Sequence, residues 1–172
     1  MKERDLQPNN KSKIESLEGL SSLEKLDFYK AQNMYCFHGS KVSNLKILKP
    51  SEPVGDLSQN PDREQTAVYA DPDDYILPLL RALWRSKDPK KPQGMRISGR
   101  SGKIEIWGNE ENIEWSNGSI YVCKKSNSFQ DGGVAAYRST EPIEVNAEIE
   151  VGPEIMKQLV ERGEVVCHIK IP

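Results

Sequence analysis

From Lys103 onward the apolar residues fall in short runs of β-branched and aromatic side chains, separated by polar turn residues. These runs are Lys103-Ile104-Glu105-Ile106-Trp107, Ser119-Ile120-Tyr121-Val122-Cys123, Val134 to Arg138 and Ile143-Glu144-Val145. Runs of this length and type read as strands. Asn117-Gly118, between two of them, has the chemistry of a tight hairpin turn. Gly152-Pro153-Glu154 opens a short helix to Val160, Arg162-Gly163 stops it, and Glu164 to Ile171 alternates as a closing strand. The C-terminal half is therefore expected to be antiparallel and strand-rich.

The N-terminal half mixes both periods. Residues 1 to about 12 are polar and read as a tail, and Ile14, Leu17, Leu20, Leu23, Leu26 and Phe28 recur at helical spacing, broken near Gly19. Asn33 to Gly39 is an aromatic-rich strand ending in glycine, and Leu45 to Pro50 is a second extended piece. Ser51 to Glu64 reads as a surface loop, and Thr66 to Ala70 as a buried strand. A helix is expected over Asp73 to Arg85, with Asp71 as its N-cap and Pro72 in first position. Pro78 predicts a kink or a later start. Lys87 to Gly102, basic and rich in Pro and Gly, reads as a loop. The expected fold class is α+β: residues 1–32 form a polar tail with short helices, and residues 33–172 form one domain with an antiparallel, strand-rich core and few short helices.

The 172 residues suit one domain with a real core. Their 24 basic and 26 acidic side chains nearly cancel, so there is no bulk attraction to nucleic acid or an anionic membrane. No run approaches the roughly 18 apolar residues of a membrane span. The charged N-terminus has no signal-peptide core, so a soluble, cytoplasmic protein is expected. Cys36, Cys123 and Cys167 are odd in number and widely spaced, which reads as buried free thiols, and no paired spacing offers a zinc site. Serine-hydrolase elbows, phosphate-binding glycine loops and His-Glu-x-x-His are absent from the sequence.

Imidazole chemistry can come only from His38 or His168. His168 alternates with Val166 and Lys170 and reads as structural. His38 ends an apolar strand and precedes Gly39 and Ser40, where the missing side chain lets a ligand approach the backbone. The alternative for the same three residues is a turn in which Ser40 caps the next element.

Three segments carry a family resemblance: Tyr35-Cys36-Phe37-His38-Gly39-Ser40, Ala67-Val68-Tyr69-Ala70-Asp71, and Val134 through Arg138-Ser139-Thr140-Glu141-Pro142 to Val145. In this order they resemble the diphtheria-toxin-like ADP-ribosyltransferases and poly(ADP-ribose) polymerases, over residues 34 to about 150. The resemblance implies an NAD site in which His38 meets a ribose hydroxyl and Gly39, with Ser40, fixes the nicotinamide amide. Tyr69 would stack on the nicotinamide ring, although an ungapped register puts Val68 there, and Tyr75 would form a second wall. The pyrophosphate would need cationic partners, for which Arg63 and either Arg81 or Arg85 are the candidates, although no motif marks them. The family's catalytic glutamate falls at Ala136, leaving Glu141 as the substitute acid and Glu144 as the other neighbour.

The implied activity is transfer of ADP-ribose from NAD to a macromolecular acceptor, with His38, Tyr69 and Glu141 as catalytic residues and no metal. Ala136 equally suggests an inactive module of the same fold that binds NAD, ADP-ribose or a protein partner. A third reading is an accessory interaction protein without a nucleotide site, using Trp107 and Trp115 as a contact face.

Overall fold

The computed structural model describes residues 17–51, 66–88, 90, 96–98, 104–131 and 137–172. The helices are α1 (Ser22–Ala31), α2 (Ile76–Leu83) and α3 (Glu154–Glu161). The strands are β1 (Tyr35–Ser40), β2 (Ile47–Leu48), β3 (Val68–Ala70), β4 (Trp84–Ser86), β5 (Arg96–Ser98), β6 (Ile104–Trp107), β7 (Ile113–Trp115), β8 (Gly118–Lys124), β9 (Gln130–Asp131), β10 (Tyr137–Ser139), β11 (Ile143–Glu144), β12 (Ala147–Val151) and β13 (Val165–Cys167). The architecture is α+β, with mostly antiparallel sheets and few short helices. The sheets run β1-β8-β12, β3-β10-β9, β11-β2, β13-β6-β5 and β4-β7, and among the described residues only the β13–β6 strand pairing is parallel. Among the described residues no helix is long and apolar enough to cross a membrane.

The β1-β8-β12 sheet divides the interior. Directly opposed residues share a face, so Phe37 with Val122, and Ile120 with Ile149, look one way. They meet Leu23 and Leu26 of α1, Leu79 and Leu83 of α2, and Met156 and Leu159 of α3. Cys36, Tyr121 and Cys123 look the other way, onto Leu48, Val68, Ala70, Phe129 and Ile143. Because Leu23 and Leu26 are buried, the packed unit includes α1 and reaches back beyond Asn33. A capping box starts α1: the Glu24 N–H donates to Ser21 Oγ at 3.3 Å and the Ser21 N–H to Glu24 Oε2 at 2.7 Å.

Two glycines set how closely α2 approaches this sheet. A Cβ at Gly39 would overlap the Pro78 carbonyl, within 2.6 Å of its carbon. A Cβ at Gly118 would overlap the Ala82 carbonyl and stand 2.9 Å from Ser40 O. Pro78 and Ala82 are four residues apart and so lie on one face of α2. Both glycines are thus required by the helix–sheet contact.

The structure departs from the sequence expectations at several elements. Gly118 begins β8 rather than closing a hairpin, because β7 pairs with β4 while β8 pairs with β1 and β12. Residues 96–98 form a strand within the segment expected to be a loop. Helix α2 starts at Ile76, since the Asp71 carboxylate first takes the N–H groups of Asp73 and Asp74, both at 3.0 Å, in a turn. Pro78 therefore falls in the first helical turn, where a missing N–H breaks no bond. The expected tail over residues 1 to 12 and the loop over residues 52–64 lie outside the described residues.

Candidate functional site

β1 is an edge strand of its sheet, and its far side is only partly paired. Phe37 exchanges both main-chain hydrogen bonds with Asp71, at 2.9 and 2.8 Å. Main-chain groups alternate along a strand, so the N–H and C=O of Gly39 also point away from β8. Continuing that pairing would put Gly39 opposite Tyr69. The ladder does not continue, because the Tyr69 carbonyl instead accepts the Nδ1–H of His38 at 2.7 Å. Among the described residues Gly39 has no main-chain partner on that side.

The same bond fixes the chemistry of His38. A carbonyl only accepts, so Nδ1 carries the proton and Nε2 presents a lone pair. Burial pushes the imidazole below its ordinary value, against the raising effect of the Tyr69 carbonyl, and the charge of Arg81 pushes it further down. His38 is neutral at pH 7.

Across the sheet, His38 is opposed by Tyr121 and Tyr121 by Glu148, a row of three on one face. The His38 and Tyr121 ring centroids are 6.5 Å apart. The Tyr121 hydroxyl accepts the Leu45 N–H at 3.2 Å and shares its hydrogen between the Val42 carbonyl at 2.6 Å and Glu148 Oε1 at 3.1 Å. Glu148 Oε1 also accepts from Ser119 Oγ at 2.8 Å and from the Asn44 N–H at 2.9 Å. These bonds fasten the loop after the His-Gly-Ser strand to the sheet. Asn44 turns it with a φ of 63°, a conformation asparagine tolerates. Burial raises the Glu148 carboxyl, but bonds from Asn44, Ser119 and Tyr121 outweigh it, and the group ends below the usual carboxylate range.

The residues anticipated from sequence part company in space. Tyr69 is half-buried and alternates with Val68 and Ala70, which are sealed in the second core, so Val68 cannot present itself to a ligand. Tyr75 is fully buried, edge-on to Phe37 at 5.9 Å, and donates to Asp27 Oδ1 at 2.6 Å. It is a core brace rather than a wall of the site. Arg81 lies exposed on α2, near enough for its charge to act on His38. Ser40 Oγ accepts the Val42 N–H at 3.1 Å, the local capping role that was the alternative for this motif.

Glu141 is exposed in a turn closed on the Ser139 hydroxyl, just past β10. Since β10 pairs with β3 and β9, this carboxylate belongs to a different sheet from His38. Ala136 and Arg63 lie outside the described residues. The acid in the His38 row, Glu148, was missed, although the alternation Glu148, Glu150 along Ala147–Val151 marks one polar face of a strand.

Lys41 adds positive charge beyond the end of β1. Its amine is pushed down by burial and then by Arg85, with Glu114 opposing. Cys36 and Cys123 are buried, directly opposed free thiols, each pushed up to about 12 by burial. Past the end of β13, His168 stacks on Trp107 of β6 at 4.7 Å, and Trp115 Nε1–H of β7 donates to the Lys170 carbonyl at 3.1 Å.

A cleft of about 620 Å³ lies nearby, and His38 is not among the residues that line it. It opens at the next row along the same sheet, between the Lys41–Ser43 loop and the start of α3. A smaller cleft of about 230 Å³ is lined by Ile113, Trp115, Ile169 and Pro172 with two charged side chains. Comparison with protein-family models, curated proteins and solved structures gives no match.

Proposed function

We propose that the protein is ADP-ribosyltransferase-like and binds NAD along the open edge of β1. One observation carries this reading: the neutral His38 with its bare Nε2 lies beside the unpaired main-chain edge of Gly39. Gly39 offers an N–H and a C=O in the spacing that a carboxamide matches with its own acceptor and donor. His38 Nε2 accepts from a ribose hydroxyl, and Tyr69 supplies a ring beside them. Arg81, with Lys41 and Arg85 beyond the end of β1, gives the positive field that a diphosphate needs. Ser40 shapes the turn after the strand. In the transfer reaction these groups orient the ribose and exclude water as the nicotinamide bond breaks, while a macromolecular acceptor takes the ADP-ribose.

A second reading, binding of NAD or ADP-ribose without turnover, is favoured by a specific observation. Glu141 belongs to another sheet, and Glu148 spends both carboxylate oxygens on the Asn44 loop. Neither joins His38 by a hydrogen bond among the described residues.

Thermal unfolding with NAD, paired with an assay for free nicotinamide, separates these readings. Binding stabilises the chain by about 2.7 kcal/mol at a hundredfold excess over the dissociation constant, and His38→Ala removes the effect. Nicotinamide release assigns turnover, and stabilisation without release assigns the binding module. No stabilisation at saturating NAD overturns both and favours an interaction protein without a nucleotide site.

A further inference from the structure

We propose that the 620 Å³ cleft at the end of the β1-β8-β12 sheet is a binding site for a small, hydroxyl-rich amine, such as an amino sugar. Its volume is that of small-molecule sites, and Val151 is the one aliphatic residue that lines it. An apolar ligand would therefore gain little there, and a ligand rich in hydrogen-bonding groups is selected.

The polarity of the cleft is directional. Lys41 and Ser43 line it from the β1 side, Ser119 from β8, and Glu150 and Glu154 from the β12 side. The Lys41 loop is held rigid by the Glu148 and Tyr121 bonds, and Ser22 Oγ–H ties the start of α1 to the Glu150 carbonyl at 2.7 Å. Gly152 leaves room for the Glu154 carboxylate to fold against the backbone, where a Cβ would displace it. The carboxylates of Glu150 and Glu154 have no hydrogen-bond or ion-pair partner among the described residues. Two uncompensated carboxylates on one flank repel an anion and attract an ammonium group. Lys41 and the serine hydroxyls on the other flank serve ligand oxygens. A ligand with its charge at one end and its hydroxyls at the other satisfies both flanks.

The cleft adjoins the His38 row, so a ligand held there would be next to a bound NAD. Its role as an ADP-ribose acceptor rests on the function proposed above, whereas the binding site itself does not. The test is an amide-resolved NMR titration of the whole chain with glucosamine, without NAD, to about 50 mM, which saturates a site of millimolar affinity. Glucose serves as the uncharged control and inorganic phosphate as the anion control. The expected result is shifts centred on Gly118, Ser119 and Gly152, with glucose about fivefold weaker, the scale of one exposed charge contact. Glu150→Gln, an exposed change that leaves the fold intact, should bring glucosamine measurably closer to the level of glucose, with Glu154 keeping the remainder. Absence of shifts at these amides, equal binding of glucose, indifference to Glu150→Gln, or a response to phosphate instead overturns the proposal. Each result is read without NAD, so failure of the nucleotide site leaves it unaffected.

Discussion

On the helical face of the central sheet, side chains and backbone meet with no space to spare. Gly39 and Gly118 admit two carbonyls of α2, and Leu26, Leu79, Leu83 and Met156 are fully buried around them. On the opposite face, one residue along from Gly39, His38 keeps a free nitrogen. Its neighbours Tyr121 and Glu148 are polar and tied to a loop. Adjacent residues of one motif thus do different work because a strand turns alternate side chains to opposite faces. The glycine in His-Gly-Ser is needed for the helix behind it, and its main-chain edge has no partner on the side away from β8 among the described residues.

The largest expected effect lies on the helical face. Gly39→Ala drives a methyl group into the Pro78 carbonyl, a backbone atom that cannot swing aside. A loss of about 3 kcal/mol or more in denaturant unfolding is expected, at the upper end of overpacking costs. A loss below about 1 kcal/mol would show that α2 does not depend on this contact.

Next in size are two tyrosines, one beneath each face. Tyr75→Phe removes the donor to the Asp27 carboxylate, which also receives Arg162 Nη1–H at 2.6 Å. The expected cost is about 1.5–3 kcal/mol, the range for hydrogen bonds to charged groups. Tyr121→Phe, which frees the loop at Val42 and Leu45, should cost about 1 kcal/mol. It should also raise hydrogen exchange at Asn44 and Leu45, a local signature that Tyr75→Phe lacks. The reverse pattern would mean that the two faces have been assigned the wrong way round.

The smallest effects are those of pH. The folded state holds His38 below its ordinary value, so the unfolded chain takes up a proton first as pH falls below about 6.5. Stability is complete above that pH and declines below it, and His38→Gln should remove this part of the decline. Glu148 is also held low, so its contribution is complete above about pH 4.3 and fades at more acid pH. Unfolding midpoints followed from neutral to acid pH should show two separable losses, each abolished by its own variant.

How much of this was legible in the sequence depends on the range of the forces involved. The α+β class, α1, the strand at residues 35–40 and the stop at Gly163, whose φ is 72°, follow from local periodicity and glycine chemistry. Gly118 did not, because its reason is a helix carbonyl more than thirty residues away rather than the turn that Asn-Gly suggests. Tyr75 carries the same ring as Tyr69, and only burial separates the sealed core brace from the half-buried residue. Glu141 is close to the motif strand in sequence, whereas Glu148 is close to His38 through sheet pairing, which no local pattern reveals. The bond from His38 to the Tyr69 carbonyl joins two of the anticipated segments, but its partner is main chain, to which the sequence is silent.

The proposed nucleotide chemistry depends on a neutral His38 that carries its proton on Nδ1 and has no hydrogen bond to Nε2 among the described residues. Long-range 15N NMR of the imidazole rings tests it directly, since the chain has only two histidines and His168→Gln assigns them. At pH 7 the expected result is a protonated Nδ1, an unprotonated Nε2, and a change at Nε2 alone when NAD is added. A charged ring, the opposite tautomer, or an Nε2 signal indifferent to saturating NAD would contradict it.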